Sequence, residues 1–450
     1  MPISSPGIGS GLDVNRIVSQ LVELERRPIA ILQTQKTRLN TQLSSIGLVQ
    51  SYMANLQSVA AQLGKADFWT KSVASSSDST AVAATALASA VPASYSIEVL
   101  SLASAQSLST VAGAITDASN MGAGTLTVTR GATAIPITIV DGTSLAAVRD
   151  QINAAKAGVT AVIIQDGTGP RLVLTGSDTG TANAVSIAVT GASGQLTALS
   201  YPAGMTQDRP AANASLKING LLIGSAKNNL SGVVDGLNLT LAKVTASPVQ
   251  VTVGHDSATM KKGITDFVSA YNEISRYLST QTKYDEASNV AGALQGDRSA
   301  VGLLNRLRGT LQQTSTASTV FTRLSDLGLE LQRDGSIKVN ASTLDAALVD
   351  PAEMARAFST LQTGFGQRFK ALSDSVLGTE GLLTTRTNGL RDSISRNDKD
   401  QKRLEDRVAR VQERLTRQYS ALDNNLNQIN GLGSFVQQQI TNWNKSDNRL

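Results

Sequence analysis

Cysteine is absent from this chain of 450 residues, which excludes disulfides, thiol catalysis and cysteine metal sites. A single histidine, His255, argues against a histidine-based zinc site or a Ser-His-Asp relay within one chain. Aromatic residues make up only 4%, so apolar cores must be built mainly from Ala, Val, Leu and Ile. No run of 18 apolar residues occurs, and no membrane insertion is expected. The opening MPISSPGIGSGLDVNR has neither a basic n-region nor an apolar h-region, so it does not read as a cleavable secretory signal. Its Gly7, Gly9 and Gly11 lack the lysine of a phosphate loop and follow no strand, and are read as an irregular start. No paired carboxylates, metal-ligand cluster or nucleophile constellation stands out, so neither an enzyme nor a cofactor or metal site is expected. Asp166, Asp178 and Asp334 read as turn residues.

The length allows two to four domains, and 41% hydrophobic content suffices for real cores. The net charge of +5 is modest. Between Arg386 and Arg417 there are ten Arg/Lys and six Asp/Glu, which concentrates the excess in one stretch. Acids interleave with the bases there and no stacking aromatics accompany them. A solvated, salt-bridged helix face fits better than a nucleic-acid site.

That stretch also carries the longest pattern in the sequence. Leu404, Val408, Val411, Leu415, Tyr419, Leu422, Leu426 and Ile429 are separated by steps of 4, 3, 4, 4, 3, 4 and 3. Such steps draw one apolar stripe along a helix, and neither Gly nor Pro interrupts Leu390 to Asn430. A helix of this length needs a partner for its stripe, and the other end of the chain offers one. Asp13 reads as the N-cap of a first helix carrying Val14, Ile17, Val18, Leu21 and Val22, which Pro28 is expected to kink or end. From there Ile29, Leu32, Leu39, Leu43, Ile46, Met53, Leu56 and Leu63 form a second stripe, with Lys36 and Gln50 at two seam positions. This is coiled-coil spacing, in which occasional polar residues set register. The two stripes are predicted to form an assembly seam, with the termini ordered mainly on assembly.

Past Lys71 the composition turns to Ala, Ser, Thr and Val. Alternation of period two marks strands around Tyr95 to Val99, Leu126 to Val128, Ile135 to Ile139, Val159 to Ile164, Leu172 to Leu174, Val185 to Val189, Leu216 to Ile218, Leu237 to Leu241 and Val249 to Val253. One short helix, Leu145 to Ala155, interrupts them. The stretch from Tyr201-Pro202 to Pro210 is read as a crossover. After Gly254 the period becomes helical again, with a hairpin predicted to turn at Asp334-Gly335 and Asp350-Pro351 opening a further helix. Gly378 to Gly389 is read as a link into the long helix.

The predicted fold class is multidomain α+β: long terminal helices forming a coiled-coil-like leg, a mixed helical domain, and two inserted small β-domains of sandwich or open-barrel type. The expected boundaries are 1–63 with 382–450 for the leg, 64–90 with 255–381 for the helical domain and its hairpin, 91–103 with 206–254 for one β-domain, and 104–205 for the other.

Several segments resemble the flagellar hook-associated protein 2 family, the filament cap. Gly9-Ser-Gly-Leu-Asp-Val followed by Ile17-Val-Ser-Gln-Leu-Val is similar to that family's opening motif. Arg417-Gln-Tyr-Ser-Ala-Leu-Asp and Ile429-Asn-Gly-Leu-Gly-Ser-Phe-Val-Gln-Gln-Gln are similar to its closing one. Leu145-Ala-Ala-Val-Arg-Asp-Gln-Ile-Asn, Gly158-Val-Thr-Ala-Val and Leu172-Val-Leu-Thr-Gly resemble an insertion motif shared with flagellin relatives. The resemblance implies secretion through the flagellar type III export apparatus with an export chaperone. It also implies assembly as a ring, most commonly a pentamer, at the distal filament tip. There the chain would retain exported flagellin and promote its folding and insertion, without cofactors. A surface adhesin whose β-domains bind host mucin or glycans, and a hook–filament junction protein, are the competing readings.

Overall fold

The computed structural model describes residues 13–286 and 289–447, and the chain divides into two compact units. One comprises the chain up to Phe68 and from Thr259 onwards; the other is Trp69–Ala258. The glycine-rich start lies outside the described residues.

In the first unit the N-terminal helix runs unbroken from Val14 to Leu63, with the Asp13 carboxylate accepting from the Arg16 N–H at 3.0 Å. Pro28 sits inside it and does not end it, so of the two expected outcomes, a kink or an end, the end is excluded. An interior proline removes one hydrogen bond and crowds the carbonyl four residues back, and the burial of Val22 and Ile29 on either side of it offsets that cost. The C-terminal helix begins at Leu382 and continues to Asp447, passing straight through Gly389, so the expected link ends eight residues early. A Cβ at Gly389 would meet no neighbour, so nothing there needs a glycine bend.

Between these ends lie Ser257–Thr282, Arg298–Gln312, Ala341–Ala347, Pro351–Ser359 and Phe365–Leu377, all helical. Asp350 caps the Pro351 helix through the Glu353 N–H, as the Asp-Pro pair predicts. The hairpin pairs Leu329–Leu331 with Ile337–Val339, and the Asp334 carboxylate accepts from the Ser336 N–H at its turn. A cluster of rings supplies much of this core. Phe267 and Tyr271 both meet Phe369 edge to face, with centroids 5.0 and 6.1 Å apart, and Phe358 meets Phe365 at 5.8 Å.

The second unit contains two apolar cores, each between two sheets. In one, a five-stranded sheet orders Ser72–Ser76, Val249–His255, Ala93–Ser101, Ala214–Ile218 and Leu221–Ser225, and a three-stranded sheet joins Asn229–Val234, Leu237–Leu241 and Val82–Ala86. Ile97, Val99, Leu216 and Val251 face Val82, Leu230, Leu239 and Leu241 across that core. In the other, strands Met205–Arg209, Ser107–Thr110, Pro170–Gly176 and Val159–Gln165 form one sheet, and Thr133–Ile139, Gly124–Arg130 and Val185–Thr190 the other. Leu145, Val148 and Ile152 of the helix Leu145–Ala154 complete it.

Two segments sit elsewhere than expected. Residues 72–86, assigned to the helical domain, supply two strands to the β-sheets. Their Ala, Ser and Thr residues carry too little hydrophobic contrast to show alternation. Residues 205–209, read as part of a crossover, pair with Ser107–Thr110 and belong to the insert. Both follow from backbone pairing, which side-chain periodicity does not report. His255 is exposed at the end of its strand.

Candidate functional site

The two terminal helices pack antiparallel. Glu25 meets Arg407 at 3.6 Å, whereas Leu32 accepts a hydrogen bond from Asn397 and Lys36 meets Asp398 at 2.7 Å, so residues further along the N-terminal helix face earlier ones of the long helix. Val14, Val18, Val22 and Ile29 are buried together with Val408, and Leu404, Leu415 and Tyr419 pack against them. The steps of four from Val14 to Val22 put these side chains on one face of the helix. Salt bridges on the flanks are exposed and contribute little to stability; the apolar line between them does most of the holding.

The expected seam residues fall into three groups. Ile29 and Val408 are buried in the pair, while Leu32, Leu39, Leu43, Leu404, Val411, Leu415, Tyr419 and Leu426 are half-buried. Ile46, Met53 and Leu56 are fully buried, but in the helical core. There the N-terminal helix turns toward Phe365–Leu377: Gln57 donates to Asp374, and Gln367 donates to the Gly64 carbonyl at 2.8 Å. Tyr52 also meets Tyr277 at 5.4 Å. Leu422 and Ile429 are exposed. The sequence pattern leaves Val14, Val18 and Val22 outside the seam, because Pro28 is expected to kink or end the helix that carries them. Their spacing is the signal that the stripe continues through it.

Beyond Tyr419 the long helix changes character. Leu422, Ile429, Leu432, Phe435, Val436 and Ile440 are 45–64% exposed. Between Ala421 and Asn442 the sole charged residue is Asp423, and the other polar positions are Asn and Gln with one Ser and one Thr. An exposed helical surface that is apolar and nearly uncharged fits packing against other helices. Among the described residues, no group of three or more His, Cys, Asp and Glu is placed to hold a metal, and no helix is long and apolar enough to cross a membrane.

Residues 10–106 match the N-terminal region of flagellar hook-associated protein 2 and residues 211–431 its C-terminal region, while 125–178 match the flagellin hook IN motif. The chain is 33% identical to the A-type flagellar hook-associated protein 2 of Pseudomonas aeruginosa over 465 aligned positions, covering 97% of this chain and 96% of that one. It belongs to the flagellar hook-associated protein 2 family. The Escherichia coli K12 member is 31% identical, with 99% of each chain covered. A crystal structure of the flagellar cap protein from Escherichia coli superposes with a TM-score of 0.60 at 31% identity, covering 77% of this chain and 99% of that one. The architecture of long terminal helices with small β-domains is therefore that of the cap proteins in this family. Neither the adhesin nor the junction reading is favoured by these likenesses.

Proposed function

We infer that this chain caps the bacterial flagellar filament at its distal end, where it retains exported flagellin and promotes its folding and insertion. The observation that supports this most directly is the exposed, nearly uncharged helix face from Leu422 to Ile440. Left in water, that face gains nothing from its apolar side chains; set among the helices of a polymer end, each buried Leu, Ile or Phe contributes about 1.5–3 kcal/mol. The buried and half-buried seam residues from Leu404 to Tyr419 and from Ile29 to Leu43 then hold the pair that presents it. Assembly as a ring of identical copies, most commonly five, and delivery by the flagellar export apparatus with a chaperone complete the reading.

Phe435→Asp tests it. The side chain is 58% exposed, so the fold should be unaffected and thermal unfolding unchanged. Cells carrying the variant are expected to shed flagellin unpolymerised and grow short filaments. Filaments of normal length would refute the role assigned to this face.

A further inference from the structure

The five-stranded sheet ends in the strand Leu221–Ser225, which pairs on one side only, with Ala214–Ile218. Asn219-Gly220 joins the two, with φ of 49° and 84°, the backbone of a type I′ hairpin turn. In such a hairpin the flanking residues, Ile218 and Leu221, exchange both hydrogen bonds, and the direction alternates from there. Leu221, Ile223 and Ser225 therefore bond to the neighbouring strand. Leu222 and Gly224 turn their N–H and C=O groups outward, where they meet no partner among the described residues.

An open edge is a template for another strand, and proteins block it with charges, prolines, bulges or a covering segment. Other edges of this unit carry such devices. Met205–Arg209 and Asn229–Val234 break register, and Pro136 interrupts Thr133–Ile139. In Val159–Gln165 the Asn153 amide bonds both the N–H and the C=O of Ala161, at 2.7 and 2.9 Å. Leu221–Ser225 has none of these: Leu-Leu-Ile-Gly-Ser holds register throughout and bears no charge. Leu221 and Leu222 stand 69% and 64% exposed. Gly224 points the same way. Its backbone is not in the left-handed region, and an added Cβ would meet only the Ala214 carbonyl oxygen, at an ordinary 3.9 Å. Glycine weakens a strand, and one that its own fold does not require marks a place where another backbone comes close.

We propose that this edge pairs antiparallel with the same edge of a second copy, about a two-fold axis at Ile223. Leu222 of each copy then lies opposite Gly224 of the other and exchanges both hydrogen bonds with it. The outward groups choose this register: only with Ile223 on the axis do both outward residues find outward partners within the strand. The side chains agree. Leu222 projects from the outer face of the sheet, where the facing Gly224 leaves the space that a side chain would fill. Ile223 meets its own copy on the opposite face, where it already packs against the core of the domain. Lys217, beside Leu222 on the neighbouring strand, is turned inward to Glu98 at 3.1 Å, so no like charges confront each other across the seam. A strand paired with itself is an isologous contact and closes at two copies. It is therefore distinct from any contact that propagates around a ring, and it does not depend on the capping role.

Because the chain has no cysteine, single substitutions report the register. On the axis the two Ile223 Cα atoms lie about 4.5 Å apart, within disulfide reach, whereas the two Leu222 positions sit on a diagonal of about 7–8 Å, beyond it. Leu222 is the more exposed of the two, so random collision would favour linkage there. Full-length Ile223→Cys, oxidised mildly, is expected to give linked dimer about tenfold faster than Leu222→Cys; equal rates or the reverse order overturn the proposal. In sedimentation the parent chain is expected to show twice the mass of Leu222→Lys, in low and high salt alike, and the two should melt together because that side chain is exposed. Equal masses at every concentration overturn the contact. Gly224→Val, which the isolated chain has room for, is expected to melt no lower than the parent and yet to lose the pairing, since its side chain occupies the place of the other copy's Leu222. Undiminished pairing in that variant counts against the register. Binding of added flagellin at this edge, without self-pairing, would overturn the second-copy assignment and give the edge to a flagellin strand.

Discussion

Asn397 is 4% exposed, and its side-chain amide donates to the backbone carbonyl of Leu32, 3.1 Å away on the opposite helix. Gln401, one turn further on, donates to the side-chain oxygen Oδ1 of Asn397. A polar link of this kind in an otherwise apolar seam sacrifices some stability and fixes which turn of one helix faces which turn of the other.

Asn397→Leu is therefore expected to leave the unfolding midpoint unchanged or raise it slightly, while loosening register. Distances between spin labels at positions 29 and 408 should broaden from one population into several. A single sharp distance in the variant would show that the apolar contacts alone fix the register.

The Asp297 carboxylate has two tasks. It caps the helix Arg298–Gln312 through the N–H groups of Ser299 and Ala300, and it holds Arg386 in the first turns of the long helix. Its side chain is 3% exposed whereas that of Arg386 is 32% exposed, so the freed arginine can still reach water. Asp297→Ala should cost about 2 kcal/mol, from a lost cap and a broken ion pair, in urea unfolding. Asp297→Asn, which keeps a capping oxygen, should recover part of that loss.

Gly366 lies where two helices touch through their backbones. A Cβ there would sit 2.8 Å from the Gly64 nitrogen and 3.0 Å from the Ala60 carbonyl oxygen. Neither atom can swing aside as a side chain does, so Gly366→Ala should destabilise by about 1–3 kcal/mol. Gly302→Ala, whose added Cβ meets nothing within 4 Å, is the control and should be neutral or stabilising in the same melts.

Lys370 first, and Gln57 second, hold the Asp374 carboxyl below its usual value of 3.8. The unfolded chain therefore takes up a proton at higher pH than the folded one does. The stabilisation is complete above about pH 4 and is lost as pH falls through the lowered folded value. Asp374→Asn is expected to unfold with a shallower pH dependence below pH 4 and to be less stable than the parent near neutrality. Equal slopes in both proteins would assign acid sensitivity to other carboxylates.

Leu415→Asp places a carboxylate where Leu415 packs against the buried valine line of the N-terminal helix. The helix pair should open locally, with amide exchange accelerating at Val14 to Val22, while exchange in residues 93–253 stays as it was. Protection unchanged at those valines would mean that Val408 and Ile29 hold the pair without it.

Periodicity alone made the elements of this protein legible wherever side chains contrast: the stripe from Leu404 to Ile429, the alternation of Ile135 to Ile139, the caps Asp13 and Asp350. It was silent where they do not, as in the Ala, Ser and Thr strands of residues 72–86. An apolar stripe states that a partner exists; it does not say which partner, or where along the stripe contact ends. Those answers came from tertiary structure. The N-terminal helix meets the long helix from Val14 to Leu43, then leaves it, so that Ile46, Met53 and Leu56 are buried against other helices. The same stripe that is covered at Val408 stands open at Ile429, because burial depends on how far an antiparallel neighbour extends, and no residue on the long helix encodes its neighbour's length.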